Sequence, residues 1–315
     1  MQRILDPAKI EAFAERDIPR VRLADPDVFG QRARRLRALS SNHPLRDYLL
    51  LMAALVDAQQ AEFDSLRSAL VAEAFSQELG QQIELAQTHR MPVLQAAGWP
   101  RQDRWRAILR DLCGAISSAS TAFPPAVYAL CARIVATRDV ELDAQADLLI
   151  AARTDGVDAQ AAPFVMAALQ VYWASMASTL RVADVTQLDV PTVCPVCGSL
   201  PVASVVRSDK RGPQGYRYLH CGLCETEWHM VRITCSHCLS TEGITYHSIE
   251  GGSEAVRAET CGKCHTYRKI LYQEKDTDVE PMADDLSSLA LDLLMTQEGF
   301  HRGSGNPLLW QTSET

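Results

Sequence analysis

Cys194-Pro-Val-Cys197 and Cys221-Gly-Leu-Cys224 recur as Cys235-Ser-His-Cys238 and Cys261-Gly-Lys-Cys264, and this doubled pattern decides how the chain is read. The shift is 41 positions from Cys194 to Cys235 and 40 from Cys221 to Cys261. A Cys-x-x-Cys turn aims two thiolates at one point, and two such turns complete a tetrahedral four-sulfur site. The loop between knuckles is 23 residues in the first unit and 22 in the second. That similarity favours one site from Cys194, Cys197, Cys221 and Cys224, and an equivalent one from Cys235, Cys238, Cys261 and Cys264. Gly198, Gly222, Gly262 and Pro195 are expected to tighten the knuckles so that backbone amides face the sulfurs.

Working outward, each unit reads knuckle, strand, turn, strand, knuckle, strand. In the first, residues 200–206 and 216–220 flank a turn over 208–215, and 228–233 follows the second knuckle. In the second, residues 244–249 and 255–259 flank the Gly-rich turn at 250–253, and 267–272 follows. Strand pairs with metal pairs at their ends are rubredoxin-like or zinc-ribbon modules. Modules this small bury little core, so metal binding must supply much of their stability.

Before Val190 the chain is rich in Ala and Leu. Apolar residues at helical spacing predict five amphipathic helices: about 45–70, 103–117, from Pro124-Pro125 onward, about 141–153, and from near Pro163 with Val165, Leu169, Tyr172, Trp173 and Met176 on one face. Together they suggest a bundle with one core. Cys113 and Cys131 fall inside these helices and read as buried structural thiols. After Asp278 another helix is expected, with Leu286, Leu289, Ala290, Leu293 and Leu294 on the face that packs back, followed by a tail through Trp310. The predicted fold is therefore α+β and multidomain. A helical bundle (1–188) precedes two tandem rubredoxin-like or zinc-ribbon modules (189–232 and 233–276) and a C-terminal helix with tail (277–315).

Composition narrows the function. The 315 residues are 47% apolar and 22% charged, with a formal charge of −8, ordinary values for a soluble globular protein. No stretch is apolar enough to span or insert in a membrane. The opening Met1-Gln-Arg-Ile-Leu-Asp-Pro7 lacks the apolar run of an export signal, which places the chain in the cytoplasm. In that reducing compartment clustered cysteines read as metal ligands rather than disulfides. Between Pro191 and Lys275 ten Lys/Arg face eight Asp/Glu, a balance of +2 and a poor footprint for nucleic acid.

Four thiolates leave no open coordination position, which argues against hydrolytic chemistry at the metals. Tetrahedral sulfur suits zinc, as a structural ion, and iron, as a one-electron centre. A thioredoxin-type dithiol is disfavoured because no pair opens a helix. His220, His229, His237, His247 and His265 lie in this region, but each site already has four sulfurs, so supporting or surface roles are expected. No phosphate-binding loop, dinucleotide fingerprint or hydrolase motif is present, and no residue is assigned to catalysis.

The wording around the knuckles resembles the formate dehydrogenase accessory (formation) protein family, FdhE. The stretches that carry the resemblance are Cys194-Pro-Val-Cys-Gly-Ser199, Tyr216-Arg-Tyr-Leu-His-Cys221, Cys224-Glu-Thr-Glu-Trp-His229, Ala258-Glu-Thr-Cys261, Ala283-Asp-Asp-Leu-Ser-Ser-Leu289 and Asn306-Pro-Leu-Leu309. The resemblance implies a cytoplasmic, non-catalytic maturation factor that contacts the catalytic subunit of respiratory formate dehydrogenase. It also implies rubredoxin-like sites with iron, one ion on each set of four cysteines. Whether the metals move electrons, and whether the chain forms a homo-oligomer, stay open, with a zinc-ribbon nucleic-acid binder or a simple electron carrier as alternatives. Glu225, Glu227, Trp228 and His229 form an unusual strand. Either Trp228 packs against the metal module or the segment faces the client.

Overall fold

The computed structural model describes residues 19–72, 75–119, 122–208 and 215–309. Residues 209–214 of the turn expected over 208–215, Trp310 and the opening Met1–Pro7 lie outside them. Among the described residues seven α-helices precede the first knuckle: α1 Val28–Leu39, α2 Arg46–Ala72, α3 Phe75–His89, α4 Arg104–Ser118, α5 Pro125–Ala136, α6 Asp139–Ile150 and α7 Ala162–Ala177. Five match the expected helices. α1 and α3 have no counterpart among them, because their apolar periods are diluted. α1 buries Arg32 beside Val28, Phe29, Ala33 and Leu36, and α3 offers a thin stripe through Leu79, Ile83 and Ala86.

The amphipathic reading of α7 is corrected. Every residue from Ala162 to Ala177 is buried, the signature of an enclosed helix. α2, α4 and α6 pack around it. Within this core Gln59 Nε2 of α2 donates to Gln170 Oε1 of α7 at 3.0 Å and to Ala167 O at 2.9 Å. Cys113 and Cys131 are buried free thiols on α4 and α5, which pack against each other.

The strands are β1 Val21–Arg22, β2 Pro201–Arg207, β3 Tyr216–Cys221, β4 Glu227–His229, β5 Ile244–His247, β6 Val256–Cys261, β7 Thr266–Tyr272 and β8 His301–Arg302. Inside each unit pairing is antiparallel. Ser204 lies opposite Leu219 and Leu219 opposite Trp228, while Tyr246 lies opposite Glu259 and Glu259 opposite Arg268. The units are not freestanding. β2 pairs with β7 in parallel, from Ser204↔Ile270 to Val206↔Tyr272, so both contribute to one sheet ordered β1-β4-β3-β2-β7-β6-β5, with β8 beside β7.

Two apolar clusters result, and they place the sites differently. The larger runs through the helices and includes Cys194, Val196, Cys197, Leu219, Cys221, Leu223, Cys224 and Trp228. The smaller gathers residues such as Val256, Ala258, Tyr267, Leu271, Met282, Leu291 and Met295 between the second unit and the C-terminal helices.

The C-terminal helix is broken into α8 Pro281–Ser287 and α9 Leu289–Gln297. Its expected inner face is corrected accordingly. The break at Ser288 resets the helical phase, so Leu291 and Met295 are buried in α9 while Leu293 and Leu294 are exposed. Glu280 caps α8 by accepting from Met282 N and Ala283 N at 3.1 and 2.7 Å. Lys269 Nζ of β7 reaches Asp292 at 2.6 Å and Asp285 at 3.3 Å, tying the sheet to these helices. Burial alone would raise the Asp285 carboxyl, but the charges of Arg302 and Lys269 hold it down at about 2.

Candidate metal centres

Cys221 and Cys261 end β3 and β6 while the Cys194/Cys197 and Cys235/Cys238 pairs lie in loops, and all four turns share one backbone device. The residue after the second cysteine takes a left-handed conformation: Gly198 at φ 78°, Glu225 at 62°, Leu239 at 63° and His265 at 54°. At three of them that residue closes the turn by donating back to the first cysteine's carbonyl, Gly198 N to Cys194 O at 2.9 Å, Leu239 N to Cys235 O at 3.1 Å and His265 N to Cys261 O at 3.0 Å, and within two of the turns amides point at sulfur. Leu223 N and Cys224 N lie 3.4 and 3.5 Å from Cys221 Sγ. His237 N and Cys238 N repeat this at 3.4 and 3.5 Å from Cys235 Sγ. Such amide donors stabilise thiolate charge.

The role expected of Gly222 is different in the structure. It is not among the left-handed positions. A Cβ there would stand 3.0 Å from Pro307 Cγ, so this glycine permits close approach of the C-terminal tail.

A non-glycine residue in the left-handed region carries roughly 1 kcal/mol of strain. Leu239, 43% exposed, has little packing to lose. Leu239→Gly is therefore expected to stabilise the metal-loaded protein by about 0.5 kcal/mol, after the greater unfolded-state freedom of glycine is allowed for. Gly198→Ala has the opposite sign, since φ is 78° and Pro92 Cγ lies 3.4 Å from the new carbon. Thermal melts of the two variants check the pair.

The structure brings the eight sulfurs together in the sets that the spacing predicts, with all ligand atoms in each set within 4.8 Å of one another. In the first, Cys194 and Cys224 sulfurs are 3.5 Å apart and Cys197 and Cys221 sulfurs 3.4 Å. In the second, Cys235–Cys264 and Cys238–Cys261 are both 3.7 Å. A tetrahedral ion with metal–sulfur bonds of about 2.3 Å needs sulfurs about 3.8 Å apart. The donor sets therefore fit such an ion with small adjustment.

The expected equivalence of the sites is overturned. All four cysteines of the first are buried, whereas Cys238 and Cys264 of the second are partly exposed. The reason lies in what each unit packs against. Leu94 N, in the connection between α3 and α4, donates to Val196 O at 2.7 Å, and Ala96 N donates to Cys197 O at 2.9 Å. Trp173 Nε1 of α7 secures that connection through Leu94 O at 3.1 Å. From the same helix Gln170 Nε2 donates to Gly222 O at 2.8 Å. Both knuckles of the first site are thus held by the helical core, and Thr226 Oγ1, 3.3 Å from Cys224 Sγ, adds a hydroxyl. The second site's knuckles bond within the sheet region. Gly262 N donates to Gly243 O at 2.9 Å, Arg268 Nε to Ser236 Oγ at 2.8 Å, and His301 N to His265 O at 2.7 Å.

Beside the first site runs a buried charge network that no spacing rule marks. Arg32 donates to both oxygens of Glu225, at 3.1 and 2.5 Å, and through Nε to Glu280 at 3.0 Å. His220 lies between Glu225 and Glu227, at 3.0 and 3.4 Å, and Glu227 also pairs with Arg207 and Arg22. Burial would push the His220 imidazolium down in pKa. Hydrogen bonds and charge from the two carboxylates outweigh this and raise it to about 9. Only the sequence position of His220, next to Cys221, hinted at a supporting role.

Trp228 is 4% exposed and donates from Nε1 to Pro191 O at 2.8 Å. Glu225 and Glu227 are buried too. Of the two alternatives for this strand, packing against the module is what the structure contains. His247 and His265 ring centroids approach Phe300 to 5.9 and 6.0 Å, and among the described residues no helix is long and apolar enough to cross a membrane.

Known proteins resemble the chain along nearly its whole length. Family models described as FdhE, N-terminal, FdhE, central domain, and FdhE, C-terminal domain match residues 18–189, 193–232 and 233–309. Protein FdhE of Salmonella paratyphi A is 42% identical over 285 residues, 90% of this chain and 88% of the relative. A Protein FdhE homolog of Cronobacter sakazakii is 41% identical over the same shares. The crystal structure of the FdhE protein from Pseudomonas aeruginosa superposes with a TM-score of 0.78 at 34% identity, covering 93% of this chain and 99% of that one.

Proposed function

The chain belongs to the FdhE family, and from that premise we propose that it is a cytoplasmic accessory protein for maturation of respiratory formate dehydrogenase. In this reading it contacts the enzyme's catalytic subunit, performs no catalysis of its own, and carries one iron ion on each set of four cysteines. The division into a helical part (1–188), two rubredoxin-like units (189–232 and 233–276) and a C-terminal part (277–315) belongs to the same proposal.

The observation that carries it is the pair of converged four-sulfur sets. Four sulfurs saturate a tetrahedral ion, so substrate has no coordination position to enter and water none to be activated from. What such an ion can supply is structural closure or, with iron, one-electron exchange. The rest of the site holds and shields: Gln170 and the 94–96 connection fix the knuckles, and amides steady the thiolates.

Anaerobic purification followed by metal analysis and visible spectroscopy tests the metal half, since ferric thiolates absorb visible light and zinc thiolates do not. Capture of a tagged formate dehydrogenase catalytic subunit from the same preparation tests the partner half. The expected result is two iron ions per chain and retention of the subunit. Absence of binding to that subunit overturns the accessory role, and a colourless two-zinc protein overturns iron.

A further inference from the structure

We propose that the two four-cysteine sites differ in kind: the first holds a metal that stays for the life of the fold, and the second holds a metal that exchanges with ligands from solution. This rests on the reading that both sites take a tetrahedral ion. It is carried by burial and by the origin of the bonds that hold each knuckle.

A metal leaves four thiolates when an incoming ligand displaces the sulfurs one after another, so the rate depends on whether that ligand can touch the coordination shell. At the first site the cysteines are at most 1% exposed. The 94–96 connection lies over one knuckle, and Gln170 with Pro307 covers the other. Removing this cover means separating the helical core from the sheet, which is an opening close to global unfolding.

The second site presents one partly exposed cysteine from each knuckle, Cys238 and Cys264, while Cys235 and Cys261 form the inner half at 5% and 1%. An attacking ligand reaches the outer two without any rearrangement of the fold. Around them the surface is open: Ile233 is 58% exposed and Leu239 43%. The bonds behind the inner pair, from Arg268 Nε to Ser236 Oγ and from Gly262 N to Gly243 O, come from the sheet itself. They persist while the outer sulfurs let go.

The consequence is a division of labour. The first ion fastens the helices to the sheet, and the second is the ion through which the protein gains, loses or presents metal.

The test is metal release from the full-length protein reconstituted with zinc to two ions per chain, mixed with excess EDTA and sampled into iodoacetamide. Two phases of one ion each are expected, with rates at least roughly tenfold apart as local and near-global openings require. After the fast phase peptide mapping should find Cys235, Cys238, Cys261 and Cys264 alkylated and the other four protected, with circular dichroism of the helices unchanged. In Gln170→Ala the slow phase should quicken while the fast phase keeps its rate. A single phase, or early alkylation of Cys194, Cys197, Cys221 or Cys224, overturns the inference. Reconstitution that stops below two ions overturns the two-metal reading beneath it, and the stoichiometry measured before EDTA is added tells the two failures apart.

Discussion

Replacing Cys221 with serine is expected to empty the first site and unfold the protein well beyond the metal unit. Structural four-ligand sites contribute about 10–16 kcal/mol of apparent binding free energy, while whole proteins are stable by only about 5–15 kcal/mol. Losing the ion is therefore enough to undo the fold around it. The damage should spread because Cys221 lies at 0% exposure inside the cluster that also contains the helices, and because its knuckle accepts the Gln170 bond at Gly222. Cys264→Ser, at the partly exposed site, should lose its metal while the helices stay folded. Far-UV circular dichroism melts with metal analysis of both variants decide the matter. Equal melting temperatures for the two would contradict this account of the first site.

Arg32→Met should cost about 3–5 kcal/mol, the size expected when a buried ion pair loses one partner and the remaining charge stays in place. Glu225 and Glu280 both face this guanidinium, and the Arg32 and Glu225 side chains are fully buried. Glu225 keeps His220, but Glu280 loses the guanidinium that donates to it at 3.0 Å. The urea midpoint of the metal-loaded protein measures the loss. Adding Glu280→Gln to Arg32→Met should recover part of it, since the stranded carboxylate is neutralised while the amide oxygen can still accept from Met282 N and Ala283 N. A double variant no more stable than the single one would show that the cost comes from lost packing of α1 instead.

How much of this was legible depends on the range of the interaction involved. The cysteine sets were legible because a Cys-x-x-Cys turn is local and the repeat made the pairing consistent. Helices such as α2 and α4 were legible through residues like Leu55 and Leu112 at regular spacing. What escaped were features in which distant segments solve each other's problem. Nothing near Arg32 says that it will be buried, because the carboxylates that make burial tolerable lie 193 and 248 positions away. The parallel pairing of Ser204 with Ile270 leaves no mark in either strand, since both read as ordinary β segments. Leu293 and Leu294 misled because the phase break at Ser288 depends on tertiary packing rather than on a strong breaker residue. Gly222 matters for a reason its own knuckle does not show, since Pro307 arrives from 85 positions further along.

The order of the strands explains why like sequences ended in unlike surroundings. Reading across the sheet, β4-β3-β2 is followed by β7-β6-β5, the same three positions in the same sense, displaced sideways. The units are related by translation, not by a two-fold rotation. A rotation would give both copies identical neighbours; a translation cannot, because a short row has a first member and a last. Here one end is closed by β1, the strand that leads into the helices, and the other finishes on β5. The protein therefore has a polarity that its repeat conceals, and two metal units of nearly equal spacing become an inner one and an outer one by place alone.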